Sequence, residues 1–250
     1  MTCQSKLGWY GPLLLLLPLL GGCEEPAQSP ARNKPLPKKQ PASEEPPAGK
    51  KVKVADNIEL EILPTRRRVW VDAVVCLREG PLEQLLTRKN TKEHEAILAA
   101  DIDARKLHEA LLLANAREGS PVRWVPQYRP PTGTPIKISL LYEQKDRVVR
   151  VPAASWIRQI KTKKELPCDW VFAGSVFLDP IEPGGPRTYL ANDGDVICIA
   201  NFESALLDIP IESSKADGER GYEAWTERIP PIGTVVRVLL EPMSTEKKDP

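Results

Sequence analysis

Only two histidines occur in the 250 residues, and both stand beside carboxylates. His94 lies in Glu93-His94-Glu95, and His108 precedes Glu109 one helix-sized segment later. A fold that brings the two segments together supplies two imidazoles and several carboxylates, a ligand set that suits zinc or another divalent first-row metal. The metal reading therefore names His94, Glu95 and His108, in a structural or hydrolytic role. Neither an HExxH helix nor a Cys/His finger has this spacing. His108 beside Leu111 and Leu112 also reads as a core histidine with one satisfied hydrogen bond.

The other reactive residue types are less organised. Cys76 falls on the strand face of Trp70 and Val74, and Cys198 on that of Val196, Ala200 and Phe202, so both read as small buried apolar residues. Cys168, between Pro167 and Asp169, is the loop-like one. A disulfide between two of the three, or a reactive thiol at Cys168, is the alternative. There is no Cys-x-x-Cys pair, and an iron–sulfur cluster needs four thiolates at suitable spacing, so none is expected. Glu79 and Glu83 bracket Gly80-Pro81, where a carboxylate pair near a turn suits acid–base catalysis, set against solvated or salt-bridged surface carboxylates. Arg66-Arg67-Arg68 has acidic neighbours at Glu59 and Glu61, which sets a cross-strand ion pair against phosphate binding. Gly184-Gly185 is flanked by prolines rather than by a strand and a helix, unlike a phosphate loop. Ser175, Ser213 and Ser214 have no Gly-x-Ser-x-Gly context. No catalytic residue is assigned, and no cofactor beyond a divalent metal enters the reading.

The elements that must position these groups are mostly strands. Arg68 to Leu77 alternates Val69, Val71, Ala73, Val75 and Leu77, and Pro135 to Tyr142 alternates Ile136, Ile138, Leu140 and Tyr142. Further strands are predicted at 59–63, 122–128, 147–151, 170–178, 188–191, 196–202 and 234–241, and His94 to Ala100 also reads as strand. Pro183-Gly184-Gly185-Pro186 and Asn192-Asp193-Gly194-Asp195 read as hairpin connections. Helical spacing occurs from Asp103 through Leu107, Leu111 and Asn115, with an acidic cap and a stop at Gly119-Ser120-Pro121. A shorter helix is predicted from Ala154 to Lys161. The predicted fold is α+β, a mainly antiparallel sheet with one long and one short helix packed on it.

Residues 1–22 have the layout of a secretory signal: one basic residue, Lys6, an apolar stretch to Leu20, then small residues. The stretch carries Pro12 and Pro18 and is too short for a spanning helix, which needs about 20 apolar residues. Leu20-Gly21-Gly22-Cys23 resembles the bacterial lipobox, which implies cleavage between Gly22 and Cys23 and acylation of Cys23. Residues 23–53 contain seven prolines among Ala, Ser, Gln, Lys and Glu without apolar periodicity, the composition of an extended, disordered tether. One domain is predicted over 54–241 and a disordered tail over 242–250.

Charge removes some functions. The chain has 35 Lys+Arg against 34 Asp+Glu, and loss of 1–22 removes Lys6 alone, so nothing in bulk electrostatics favours nucleic acid. At 41% apolar residues the chain is too hydrophobic to be wholly disordered.

Several strings occur together: VCLREGPLEQLL at 75–86, KEHEAIL at 92–98, LHEALLLA at 107–114, DWVFAGS at 169–175, GDVICIANFESALLDIPIESS at 194–214 and TERIPPIGT at 226–234. As a set they resemble the YdjY-domain family of bacterial envelope proteins, particularly planctomycete-type lipid-anchored members. The resemblance spans nearly the whole domain and leaves out the signal and tether. It implies little about activity. Relatives that carry the domain beside ferredoxin-like cysteine clusters suggest an accessory role in a redox system, a pattern from which this chain departs. The resulting expectation is a bacterial cell-envelope protein on the periplasmic or outer-surface side. Lipid on Cys23 holds it to the membrane, and the domain is a non-enzymatic binding or assembly module for another envelope protein.

Overall fold

The computed structural model describes residues 49–180, 182–213 and 221–243. The predicted signal, Gly22, Cys23 and the tether up to residue 48 lie outside the described residues, as do 244–250 of the predicted tail. Every described element falls in one compact unit, residues 45–250. No helix among the described residues is long and apolar enough to cross a membrane.

In chain order the described strands begin with β1 (Lys50–Ala55), β2 (Ile58–Ile62), β3 (Arg67–Val75), β4 (Pro81–Leu82), β5 (Gln84–Arg88) and β6 (Ala96–Ala100). After the helix α1 (Ala104–Leu113) come β7 (Pro135–Gln144), β8 (Arg147–Pro152), β9 (Ile157–Gln159), β10 (Trp170–Phe172) and β11 (Phe177–Leu178). The last are β12 (Thr188–Tyr189), β13 (Ile197–Cys198), β14 (Leu207–Asp208), β15 (Tyr222–Ala224) and β16 (Val235–Pro242).

The long strands arise from alternation. In β3, Val69, Val71, Ala73 and Val75 point into the core, and on β16 Val236, Val238 and Leu240 do the same. This period of two suits a strand with one buried face. β16 lies between β3 and β7, antiparallel to both, with Val238 opposite Val71 on one side and Leu140 on the other. The β7–β8 turn is Lys145-Asp146, both at positive φ, the conformation that matches the twist of a two-residue hairpin.

The sheet then closes. Its order runs β3, β16, β7, β10, β14, β13, β5, β6, and β6 returns to β3 through Val74 opposite Ala99 and Val75 opposite Leu98. This is a closed eight-stranded barrel, with β2 and β1 extending from β3 and β8 from β7. Two of its pairings, β5 with β6 and β13 with β14, are parallel. An eight-stranded barrel is just wide enough for side chains to fill its interior, and Leu86, Leu98, Ile136, Phe172 and Trp170 are among the fully buried residues here. Outside the ring β4, β15 and β9 form a small sheet, and β11 pairs with β12.

The predicted α+β class is therefore wrong: the fold is mainly β, a closed barrel with a single described α-helix. The helix at 104–113 stands where its spacing predicts, but it is only ten residues long. Asp103 caps it through a 2.9 Å bond from the Arg105 amide, and Asn115 at positive φ follows its end. Leu107, Ala110 and Leu111 bury one face against β2 and β3. The second helix does not form. Ala153–Trp156 is a 3-10 turn, and Ile157 continues into β9 opposite Ala224; tertiary pairing there overrides the local spacing of Trp156, Ile157 and Ile160.

Other corrections are local. Residues 122–128 form a loop rather than a strand, with an isolated bridge between Arg123 and Arg129. The predicted strand 170–178 breaks at Gly174 and Ser175, both at positive φ. Pro183-Gly184-Gly185-Pro186 does join the antiparallel pair β11 and β12. Asn192-Asp193-Gly194-Asp195 is not a hairpin, because β12 pairs with β11 while β13 pairs with β5 and β14. Lys50 to Lys53, read from composition as tether, belong to β1.

Candidate functional site

The two histidines have different surroundings. His94 sits on the 3-10 turn Glu93–Glu95 with its side chain 75% exposed, and its ring approaches only Glu95, at 3.8 Å. His108, on α1, is largely buried. Its Nδ1 is 2.7 Å from the Tyr189 hydroxyl and its Nε2 2.9 Å from Glu118, so both ring nitrogens are already engaged. The edge of the ring packs on Phe172 at 4.9 Å. No group of three or more His, Cys, Asp or Glu arranged for a metal occurs among the described residues. His94, Glu95 and His108 are thus not assembled into a metal site: His108 is turned inward to Tyr189 and Glu118 while His94 faces solvent.

Glycines build the His108 cluster. The Gly119 amide donates to the Phe172 carbonyl at 2.9 Å, and Glu118 forms a bridge with Gly133. A Cβ on Gly133 would stand 2.0 Å from the Phe172 oxygen, and Gly133 has a φ of +137°. A Cβ on Gly174 would meet the Glu118 side chain at 3.1 Å. Glycine at these places lets the 117–120 segment approach β10 closely enough to aim Glu118 at His108. Tyr189 then donates to the Gly174 carbonyl at 2.8 Å. Burial lowers the His108 pKa, opposed by the Glu118 charge. With a neutral ring carrying its proton on Nδ1, His108 donates to the Tyr189 hydroxyl and that hydroxyl donates to Gly174, while the Nε2–Glu118 contact becomes an ion pair only when the ring is protonated. The His108–Tyr189–Gly174 bonds thus fasten α1 to the β12 region, with the exposed Glu118 carboxylate at their outer end.

A second polar network was invisible in the sequence because its members are scattered. Asp195 is buried and accepts from Gln84 at 3.1 Å and from Lys92 at 2.7 Å. Asp208, fully buried, accepts from the Ile209 amide at 2.8 Å and from the Phe202 amide and Asn201 at 3.3 Å. Burial still pushes its carboxyl well above the ordinary range. The Asp195 contacts tie the 190–213 segment to Gln84 on β5 and to Lys92, and Asp208 holds the two ends of the 201–209 loop together.

The nucleophile candidates are also accounted for. Cys76, Cys168 and Cys198 are all free thiols. Burial pushes Cys76 and Cys168 up to about 11 and Cys198 well above its usual value, the opposite of an activated thiol. Ser175 donates to the Ser204 carbonyl at 2.6 Å and accepts from the Ala191 amide. Ser213 is buried, and Ser214 lies outside the described residues. Glu79 is exposed and Glu83 buried. Arg68 pairs with Glu61 at 2.6 Å, the cross-strand ion pair predicted for that run.

A groove of about 510 Å³ lies over the closing seam between β3 and β6. Val74, Val235, Ala73 and Ala99 line it along with Cys76, and Val74 and Val235 are 41% and 65% exposed. Around them stand Asp72, Glu93, Asp101, Lys89 and Asn57. Asp72 is held by Arg237 at 2.9 Å. The result is a small apolar floor with a predominantly acidic rim.

The described residues form a closed β-barrel domain with a packed interior and an external groove. Residues 60–241 match the YdjY domain family, and the chain belongs to that family. No curated protein and no solved structure matches the chain.

Proposed function

We propose that this YdjY-domain chain is a lipid-anchored protein of the bacterial cell envelope, acylated at Cys23, whose barrel is a non-enzymatic binding module. The groove over the β3–β6 seam carries this reading. Exposed valines beside Asp72, Glu93 and Asp101 suit a ligand that joins a cationic group to a small apolar one, such as a Lys- or Arg-bearing segment of another envelope protein. The raised thiol pKa values and the committed Ser175 hydroxyl favour binding over nucleophilic chemistry. Each methylene of an acyl chain contributes about 0.8 kcal/mol of membrane affinity, so two or more chains on Cys23 hold the domain without help from a neutral protein surface.

Two measurements test it. Expression of the full chain in a bacterial host should give a mature N-terminus at Cys23 with an acyl mass, and Cys23→Ser should release the protein from membranes. A photo-crosslinking residue at Val235 should capture a partner that the same residue at exposed Val148 does not, with capture lost in Asp101→Lys. Equal capture at both positions would refute the groove as the binding surface.

A further inference from the structure

The β2–β3 turn, β7, β8 and the end of β16 converge on a second pocket, of about 280 Å³, bounded by Arg66, Arg67, Lys137, Arg150 and Glu241. Three cations, Arg66, Lys137 and Arg150, face one carboxylate. Glu241 lies 2.7 Å from Arg150 and 3.6 Å from Arg66 and Arg68, and Arg68 is itself held by Glu61. A carboxylate shared among three guanidinium groups neutralises one charge, so the remainder is surplus. Arg67 contributes to the pocket wall, but its guanidinium is turned to the end of α1, where it donates to the Leu113 carbonyl at 2.9 Å and to Asn115 at 3.5 Å. Lys137 stands opposite Glu241 in the β7–β16 register and adds a further ammonium group to the pocket wall.

The place of this pocket matters as much as its charge. Lys50, at the start of β1, is opposite Ile62, and Ile62 is opposite Arg67. The pocket therefore lies at the end of the sheet where the tether meets the domain. Lys and Arg balance Asp and Glu across the chain, so this local surplus is not an echo of a basic protein. Guanidinium forks match the oxygens of a phosphate in geometry as well as in sign.

We propose that this pocket binds the phosphate group of an anionic ligand, supplied by phospholipid headgroups at the membrane or by a free phosphate compound. The headgroup source rests on the lipid-anchor reading; the anion site does not.

The test uses residues 24–250, which keep the whole compact unit and lack the acylated cysteine. Inorganic phosphate is titrated by NMR, and cosedimentation is measured with phosphatidylcholine vesicles with and without phosphatidylglycerol. Arg66→Ala and Lys137→Ala, at exposed positions, should melt as the parent does and bind roughly fivefold more weakly for each charge removed. Lys137→Arg should restore binding. Salt-sensitive retention on phosphatidylglycerol vesicles alone supports the headgroup source, and saturable shifts at the pocket with phosphate but no vesicle binding support a free compound. Absence of both, or binding that Arg66→Ala and Lys137→Ala leave unchanged, overturns the proposal. Failure of Cys23 acylation would remove the anchor reading and leave this result intact.

Discussion

Removing one oxygen atom, in Tyr189→Phe, tests whether the His108 cluster fastens α1 to the barrel. The hydroxyl lies 2.7 Å from His108 Nδ1 and 2.8 Å from the Gly174 carbonyl, on a residue only 2% exposed. Phenylalanine keeps the ring contact with Phe177 and deletes the link between the other two groups. An unsatisfied buried polar group costs about 1–3 kcal/mol, and two such groups with partial relaxation give a loss of about 2–4 kcal/mol. At about 2–4 °C per kcal/mol for a domain of this size, the melting temperature should fall by roughly 5–15 °C. The assay is thermal unfolding of residues 24–250 by calorimetry, within a double-mutant cycle that includes His108→Leu. A coupling energy of about 1 kcal/mol or more is expected for groups in contact. The pH dependence supplies a second readout. Burial holds the His108 pKa below its ordinary 6.5, so the unfolded chain takes up the proton first as pH falls. Stability from this residue is full above pH 6.5 and declines towards the folded pKa, by at most about 1.4 kcal/mol per pH unit; His108→Leu should flatten that slope. A Tyr189→Phe protein melting within about 1 °C of the parent, or a cycle without coupling, refutes the fastening argument.

Three further outcomes follow from the geometry. Burial raises the Asp208 pKa in the folded state, so its contribution is full below the ordinary carboxyl pKa and is lost as pH rises through the folded value. Asp208→Asn should therefore remove a decline of up to about 1.4 kcal/mol per pH unit in urea unfolding compared between pH 4 and pH 7. Gly133→Ala places a methyl 2.0 Å from the Phe172 oxygen at a φ of +137°, and should cost about 3 kcal/mol or more in the same unfolding assay. Cys76 and Cys168, with thiols pushed up to about 11, should react with iodoacetamide at pH 7.5 roughly a hundredfold more slowly than an ordinary thiol, as read by mass spectrometry.

The long strands were legible because each repeats its alternation several times: nine residues in β3, ten in β7 and eight in β16. A period of two cannot be recognised in β13 or β14, which have two residues each. Yet these complete the ring, and its closure at β3–β6 rests on two residue pairs. Barrel closure was therefore hidden even though most of its long members were visible. The same limit applies to the polar groups. The scarcity of histidine singles out His108, but its partner Tyr189 is 81 residues away, and the carboxylates near it in sequence point to a metal instead. Asp208 lies in a segment rich in Glu and Ser, where a carboxylate reads as surface charge. Its burial comes from pairing β14 with β10, which no local pattern encodes.

The central position of β16 bears on how the chain is made. Residues 67–75 and 135–144 leave the ribosome well before residues 235–242, and it is this last segment that fills the gap between them. Until then β3 and β7 each present an unpaired edge, the kind of surface that recruits other strands. The barrel is completed late in synthesis, and a chain cut short before Val235 keeps both edges open. Protection of the growing polypeptide until that strand arrives, by a chaperone or by the speed of delivery, is thus a requirement built into the topology.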